Sequence, residues 1–284
     1  MKIKLVFGIF VFFAGIGYGQ TLKVPTLSPI TEVTQEVGLT EVKLSYSRPS
    51  AKGRKIFGDL VPFGEIWRTG ANASTKLTFS EDVKIAGNDL KAGTYALYTI
   101  PGEKEWTIII HGNTRHRSIA GDVYKPEEDV FRFKVKPTRT SGSVETFTIG
   151  FTDITSKSAK LMIAWENTEI KFPLEFDVDA RINEQIKALA ASPEGMSHQN
   201  LFLAAEYYFH NEKDLSKADG WIVEAMNKSP KNARYGLLRA RILDKAGKRT
   251  EALKVIAEAN AWATDAKNAN YIEQTKQFWD SIMN

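Results

Sequence analysis

Val42-Lys43-Leu44-Ser45-Tyr46-Ser47 alternates an apolar with a polar side chain at every step. A strand turns successive side chains to opposite faces, so a period of two gives one buried and one wet face, as in an antiparallel sheet. The alternation recurs downstream. Phe131, Phe133 and Val135 alternate with Arg132 and Lys134, and Phe147, Ile149 and Phe151 with Thr146 and Thr148. Leu161, Ile163 and Trp165 follow, then Phe172, Leu174, Phe176 and Val178. Ala86-Gly87-Asn88, Ala92-Gly93, Pro101-Gly102 and Ser141-Gly142-Ser143 punctuate these runs as turns. About nine or ten short strands between Glu32 and Val178 predict an all-β antiparallel sandwich, jelly-roll-like in style. Trp106 to Ile110 lacks the alternation and reads as a central strand buried on both faces.

After Asp179 the period changes. RINEQIKALAAS reads as a helix broken by Pro193-Glu194-Gly195. An echo at 34-residue spacing follows: Ala218, Ile222 and Ala225 are matched by Ala252, Ile256 and Ala259, and Phe209 by Leu243. Small residues at such places let two helices of a hairpin approach closely, and the spacing resembles the tetratricopeptide repeat. The resemblance covers two units, Gln199 to about Asp265, with a last helix from Asn268 to Met283. It departs from the pattern where Gly236 stands in place of an early aromatic, and no proline closes the second unit. The expected organisation is a signal peptide over 1–19, an N-terminal extension over 20–31, a β-sandwich domain over 32–178 and an all-α helical-hairpin domain over 179–284.

The chain of 284 residues begins with Lys2 and Lys4, an apolar run from Leu5 to Ile16, and Gly17 and Gly19 before Gln20. Charged start, apolar middle and small residues at the cut are the parts of a cleaved secretory signal peptide. The run falls short of the roughly 20 apolar residues that span a bilayer. The expected location is therefore periplasmic or secreted, with no membrane span after cleavage. The chain has no cysteine, so its core must hold without disulfides. The formal charge is +4, but residues 20–180 carry 21 basic and 21 acidic side chains. That balance lacks the excess needed for phosphate backbones, and no nucleic acid is expected as partner.

Familiar catalytic devices are missing: there is no cysteine nucleophile, G-x-S-x-G elbow, H-E-x-x-H or phosphate-binding glycine loop. His111 and His116 flank the basic stretch HGNTRHR without helical i, i+4 spacing or a carboxylate between them, so the stretch reads as a surface loop. No metal and no cofactor is expected. Glu127-Glu128-Asp129, after Pro126, reads as a solvated turn.

The segment from Ser47 to Thr75, SRPSAKGRKIFGDLVPFGEIWRTGANAST, is long for a connection in a compact sandwich. Phe57, Leu60, Val61, Phe63, Ile66 and Trp67 give it enough apolar area to be anchored. Two readings stand. As a hydrophobic plug, it closes one end of the sandwich while Arg68 and Asn72 satisfy buried carbonyls. As a site, Arg48, Arg54 and Arg68 offer guanidinium forks for an anion, Trp67 a flat face for a sugar or aromatic ring, and Thr69 and Asn72 polar groups.

The block LVPFGEIWRTGAN, with FSEDVKIAG and LKAGTYALYTIPGEKEWTIII after it, resembles a bacterial domain-of-unknown-function family found chiefly in secreted proteins of Bacteroidetes. The likeness spans about Val33 to Asp177. It implies export, a helical repeat region behind the β domain in some members, and weight on Trp67 to Asn72; it implies no activity. Members carry a tryptophan shortly before the tyrosine matching Tyr124, where this chain has Ser118-Ile119-Ala120, an alteration of any pocket that tryptophan helps to form.

Two functions are therefore weighed. The first is a non-catalytic binding or scaffold protein, its β domain holding a small polar or anionic ligand or glycan and its helical repeats docking a protein partner. The second is a hydrolase or lyase on an anionic or glycan substrate. There Arg48, Arg68 and Asn72 would stabilise charge, and Asp59, Glu65 or His111 would act as base.

Overall fold

The computed structural model describes residues 22, 24–116 and 124–283. The predicted signal segment and Ser118-Ile119-Ala120 lie outside them. The chain divides into two compact units, with the division between Asp177 and Val178.

The first unit holds ten strands among the described residues: β1 (Ile30–Val37), β2 (Thr40–Ser47), β3 (Thr75–Phe79), β4 (Val83–Ile85), β5 (Asn88–Leu90), β6 (Gly93–Ile100), β7 (Trp106–His111), β8 (Asp129–Val135), β9 (Thr138–Thr152) and β10 (Ser158–Glu175). They form two sheets, six-stranded in the order β1-β2-β3-β6-β7-β8 and four-stranded in the order β5-β4-β10-β9. Every pairing is antiparallel. The alternation in β2 buries Val42, Leu44 and Tyr46 and leaves Lys43 wet.

Leu44, Leu77, Leu97 and Ile108 of the six-stranded sheet and Phe147, Leu161, Ile163 and Phe172 of the other are essentially inaccessible. Contacts cross between the sheets: Tyr46 meets Phe147 edge-on at 5.8 Å, and Phe133 meets Phe172 at 5.2 Å. The Tyr46 hydroxyl donates to the Ile149 carbonyl (3.0 Å) and accepts from the Ile149 N–H (2.9 Å), tying β2 to β9. β7 is an interior strand whose Trp106, Ile108, Ile109 and Ile110 are all buried. On the outer side Ala96, Tyr98 and Ile109 form a small cluster under Ile66, Ile100 and Tyr124. That second layer explains why the strand shows no alternation. β10 unites two apparent strands of the sequence, with its register against β9 shifting at Glu166, whose φ is +54°.

The second unit contains α1 (Val178–Ala190), α2 (His198–His210), α3 (Leu215–Lys228), α4 (Ala233–Lys245), α5 (Arg249–Asp265) and α6 (Ala269–Met283). Ser197, Asp214 and Asn232 cap α2, α3 and α4 through side-chain oxygens that accept N–H groups of the first turn, each cap contributing about 1 kcal/mol. The residues of the 34-residue echo, Ala218, Ile222 and Ala225 in α3 and Ala252, Ile256 and Ala259 in α5, are all fully buried. α4 contributes to both helical cores: Tyr235, Leu238 and Ile242 to the one with α2 and α3, Leu237, Ala240 and Leu243 to the one with α5 and α6. No helix among the described residues is long and apolar enough to cross a membrane.

Candidate functional site

β2 ends at Ser47 and β3 begins at Thr75, so the long connection falls where the sequence places it. Its start runs beside β9: Ala51 N–H donates to the Glu145 carbonyl (2.8 Å), Phe147 N–H to the Pro49 carbonyl (2.9 Å), and Ser50 bridges Thr146. Glu166, at the bend of β10, accepts the Ile56 N–H at 3.1 Å. Farther on, Trp67 and Thr99 exchange two backbone hydrogen bonds of 2.7 and 2.9 Å, which lays Trp67 against β6. Ile56, Phe57, Val61 and Trp67 are buried, whereas Leu60 and Phe63 stay at the surface.

The aromatic ring of Trp67 is enclosed by its neighbours. It stacks on Trp165 at 6.0 Å and 18°, and meets Phe147 at 5.0 Å and Phe57 at 6.0 Å edge-on. Its Nε1–H donates to the Gly70 carbonyl. The flat face expected for a sugar is thus taken up within the protein. The turn that follows requires unusual backbone: Thr69 has φ +55°, Gly70 +151° and Asn72 +61°. A Cβ at Gly70 would stand 3.2 Å from the Ser47 carbonyl oxygen, in addition to the disfavoured φ. Thr69 is fully buried; its hydroxyl donates to Thr99 Oγ1 and its carbonyl accepts from Thr75 Oγ1 (2.5 Å).

The six sequence-derived site residues separate into two groups. Arg48 donates to the Phe147 carbonyl (3.0 Å) and Thr148 Oγ1 (2.8 Å), and Asn72 to the Ser28 carbonyl and Ser47 Oγ. With Thr69 they brace the connection. Arg54, Trp67 and Arg68 instead share one cavity of about 720 Å³, together with Lys52, Glu65 and Trp165. Arg54 reaches it while donating to the Ala51 and Ser50 carbonyls. Of the proposed bases, Glu65 lines this cavity and His111 belongs to a separate cluster; Asp59 is exposed.

That second cluster corrects the surface-loop reading of HGNTRHR at His111, while 112–116 do form a loop and Arg117 lies outside the described residues. His111 ends β7, fully buried, paired in register with Asp129 at the start of β8. Its Nδ1 lies 2.8 Å from Asp129 Oδ1. Asp129 also accepts from the Tyr124 hydroxyl (2.6 Å) and Arg132 Nε (2.6 Å). The Tyr124 ring stacks on His111 at 5.0 Å, and Tyr98 meets it edge-on at 5.3 Å. The supposed solvated turn is a single 3-10 turn, Pro126–Glu128, followed by Asp129 in β8; of the three acidic residues only Glu127 is exposed. The Glu128 carboxylate turns inward, 3.1 Å from His116 Nε2 and 3.4 Å from His111 Nε2, and accepts the Asn113 amide on both oxygens at 3.2 Å.

The contact with His116, then that with Asn113, holds the Glu128 carboxyl below its usual range. Burial, reinforced by its hydrogen bond to Asp129, pushes the Tyr124 phenol well up. Burial likewise raises the Tyr98 phenol. The one signal that pointed here was a histidine ending the apolar strand WTIIIH and an acidic run opening the next strand. Antiparallel pairing of the two strands sets the end of one beside the start of the other.

In the helical unit several basic residues are engaged locally. Arg234 lies 4.1 Å over Phe202, Arg239 pairs with Asp219 at 3.2 Å and Lys245 with Glu212 at 3.1 Å. A groove of about 450 Å³ opens between α1 and α2, lined by Ile186, Leu189, Leu203 and Tyr207 among others.

No curated protein and no solved structure matches this chain. One family does, described as "Protein of unknown function (DUF2911)", over residues 28–174, which is just over half of the chain and takes in both sheets, the Trp67 turn and the histidine cluster. The chain belongs to that family.

Proposed function

We propose that the protein is an exported, non-catalytic binding protein whose β unit holds a small anionic ligand in the Trp67 cavity, while its helical unit docks a protein partner. The observation that carries the reading is the cavity's lining. Its volume of about 720 Å³ falls within the ordinary range for small-molecule sites, roughly 300–1,000 Å³. Lys52, Arg54 and Arg68 contribute three cations against the single carboxylate of Glu65, beside the edges of the largely buried Trp67 and Trp165. Guanidinium and ammonium groups gathered in one cavity suit a carboxylate, a phosphate or an acidic sugar. Enclosure of the Trp67 face argues against a neutral glycan held by stacking. Arg48 and Asn72 spend their donors on the protein itself, which weakens the hydrolase or lyase reading. Export rests on the N-terminal sequence, and the partner role on the tetratricopeptide-like echo and the groove between α1 and α2.

The test is isothermal titration of the full protein with di- and tricarboxylates, sugar phosphates, uronic-acid oligosaccharides and neutral oligosaccharides. Saturable binding of an anionic compound is expected, weakened at least about tenfold, or 1.4 kcal/mol, in Lys52→Ser/Arg54→Ser. Trp67 is left intact because its removal would open the core. Binding confined to neutral sugars, or anion binding indifferent to the double substitution, would contradict the assignment.

A further inference from the structure

We propose that His111, His116 and Glu128 form a binding site for one divalent transition-metal ion of the zinc class, independent of the Trp67 cavity. Two imidazoles and a carboxylate are a donor set suited to zinc and its first-row neighbours rather than to calcium or magnesium. The three residues each offer a ligand atom within 4.8 Å of the others. Glu128 Oε2 stands 3.4 Å from His111 Nε2 and 3.1 Å from His116 Nε2. Around a tetrahedral ion with bonds of about 2.0–2.1 Å, neighbouring ligand atoms are separated by about 3.3 Å. Two of the three edges therefore already have the length that an ion between them requires.

The independent observation is His111 itself. Its side chain is completely buried, yet among the described residues Nε2 has no hydrogen-bond partner; the Glu128 oxygen is 3.4 Å away but not aligned to serve as one. Folded proteins rarely leave such an atom unsatisfied. Its other nitrogen explains the orientation. Nδ1 stands 2.8 Å from Asp129 Oδ1, which already accepts from Tyr124; with Asp129 as the acceptor of the His111 Nδ1–H as well, the Nε2 lone pair is left facing Glu128 and His116. A carboxylate behind the imidazole is the arrangement that fixes the tautomer of a metal-binding histidine and raises its basicity. Asp129 is in turn fixed by Arg132 and Tyr124, and Glu128 by Asn113. The support a metal site needs behind its ligands is already built. Three protein ligands leave a fourth position for water or an incoming ligand atom, as in sites that polarise a bound oxygen.

The test uses untagged full-length protein stripped with a chelator, titrated with Zn²⁺ by calorimetry and with Co²⁺ by visible absorption. One ion per chain is expected, with the intense absorption of four-coordinate Co²⁺. His116→Ala and Glu128→Gln, both at partly exposed positions, should each weaken binding by at least 100-fold while circular dichroism stays unchanged. Asp129→Asn should weaken it about 10–100-fold. His198→Ala and His210→Ala, at the two remaining histidines of the chain, should leave it unaltered. Absence of Zn²⁺ binding by the stripped protein, or affinity that survives both His116→Ala and Glu128→Gln, overturns the proposal.

Discussion

Glycine occurs twice within the helices of the second unit, at Gly220 in α3 and Gly236 in α4, and the same replacement by alanine should act in opposite directions at the two. In a helix interior alanine is favoured over glycine by about 0.8–1.0 kcal/mol. At Gly220, which is exposed, no atom lies within 4 Å of an added Cβ. Gly220→Ala should therefore stabilise the unit by about 1 kcal/mol.

At Gly236 the added Cβ would stand 2.7 Å from Ala259 Cβ and 3.1 Å from Trp262 Cζ3. Carbons pack at about 3.5–4.0 Å, and Ala259 Cβ, attached directly to the backbone of α5, has no rotamer with which to retreat. The two helices must part by about 1 Å, loosening a core that includes Ala240, Ala252 and Ile256. Overpacking of this kind costs about 1–3 kcal/mol. With a clash this short the upper half of that range applies, so after the helix-propensity gain Gly236→Ala should lose about 1–2 kcal/mol. The two variants should thus differ by about 2–3 kcal/mol, or roughly 10 °C in midpoint for a unit of this size. Thermal unfolding followed by far-ultraviolet circular dichroism, which reports mainly on the helices, measures the difference. If Gly236→Ala proves as stabilising as Gly220→Ala, the close approach of α4 and α5 is wrong.

Tyr46→Phe should destabilise the β unit by about 1–3 kcal/mol, because both backbone groups of Ile149 lose their buried partner; an unchanged urea midpoint by tryptophan fluorescence would show that the hydroxyl does not tie the sheets. Asp82 accepts from Lys91 and from the Ala92 N–H, and these hold its carboxyl below the ordinary 3.8. A depressed folded value contributes stability above the unfolded value and loses it as pH falls through the folded one. The difference between wild type and Asp82→Asn should therefore be full near pH 6 and shrink below about pH 4; a difference independent of pH would rule out the carboxylate's charge as its source.

What was legible in the sequence was whatever depends on local period. β2 and β8 to β10 follow from alternation, and α3 and α5 from the echo of small residues, because burial selects side chains one position at a time. The ends of the long connection at Ser47 and Thr75 were legible for the same reason. What could not be read was register across the sheet. His111 and Asp129 are 18 positions apart, and their meeting depends on a shift between Ile110 and His111 that no composition announces. Nor could residue type divide the arginines: Arg48 and Arg54 carry the same fork, and only the course of β9 beside one of them decides which becomes a brace and which lines a cavity.

The shared spacing of buried residues in α3 and α5 bears on how the helical unit could be lengthened. Because α3 and α5 present the same small residues to their partners at the same spacing, the junction between hairpins is a reusable joint. A copy of the segment from α3 through α4 inserted after α4 should therefore add a further pair of helices with its contacts already matched.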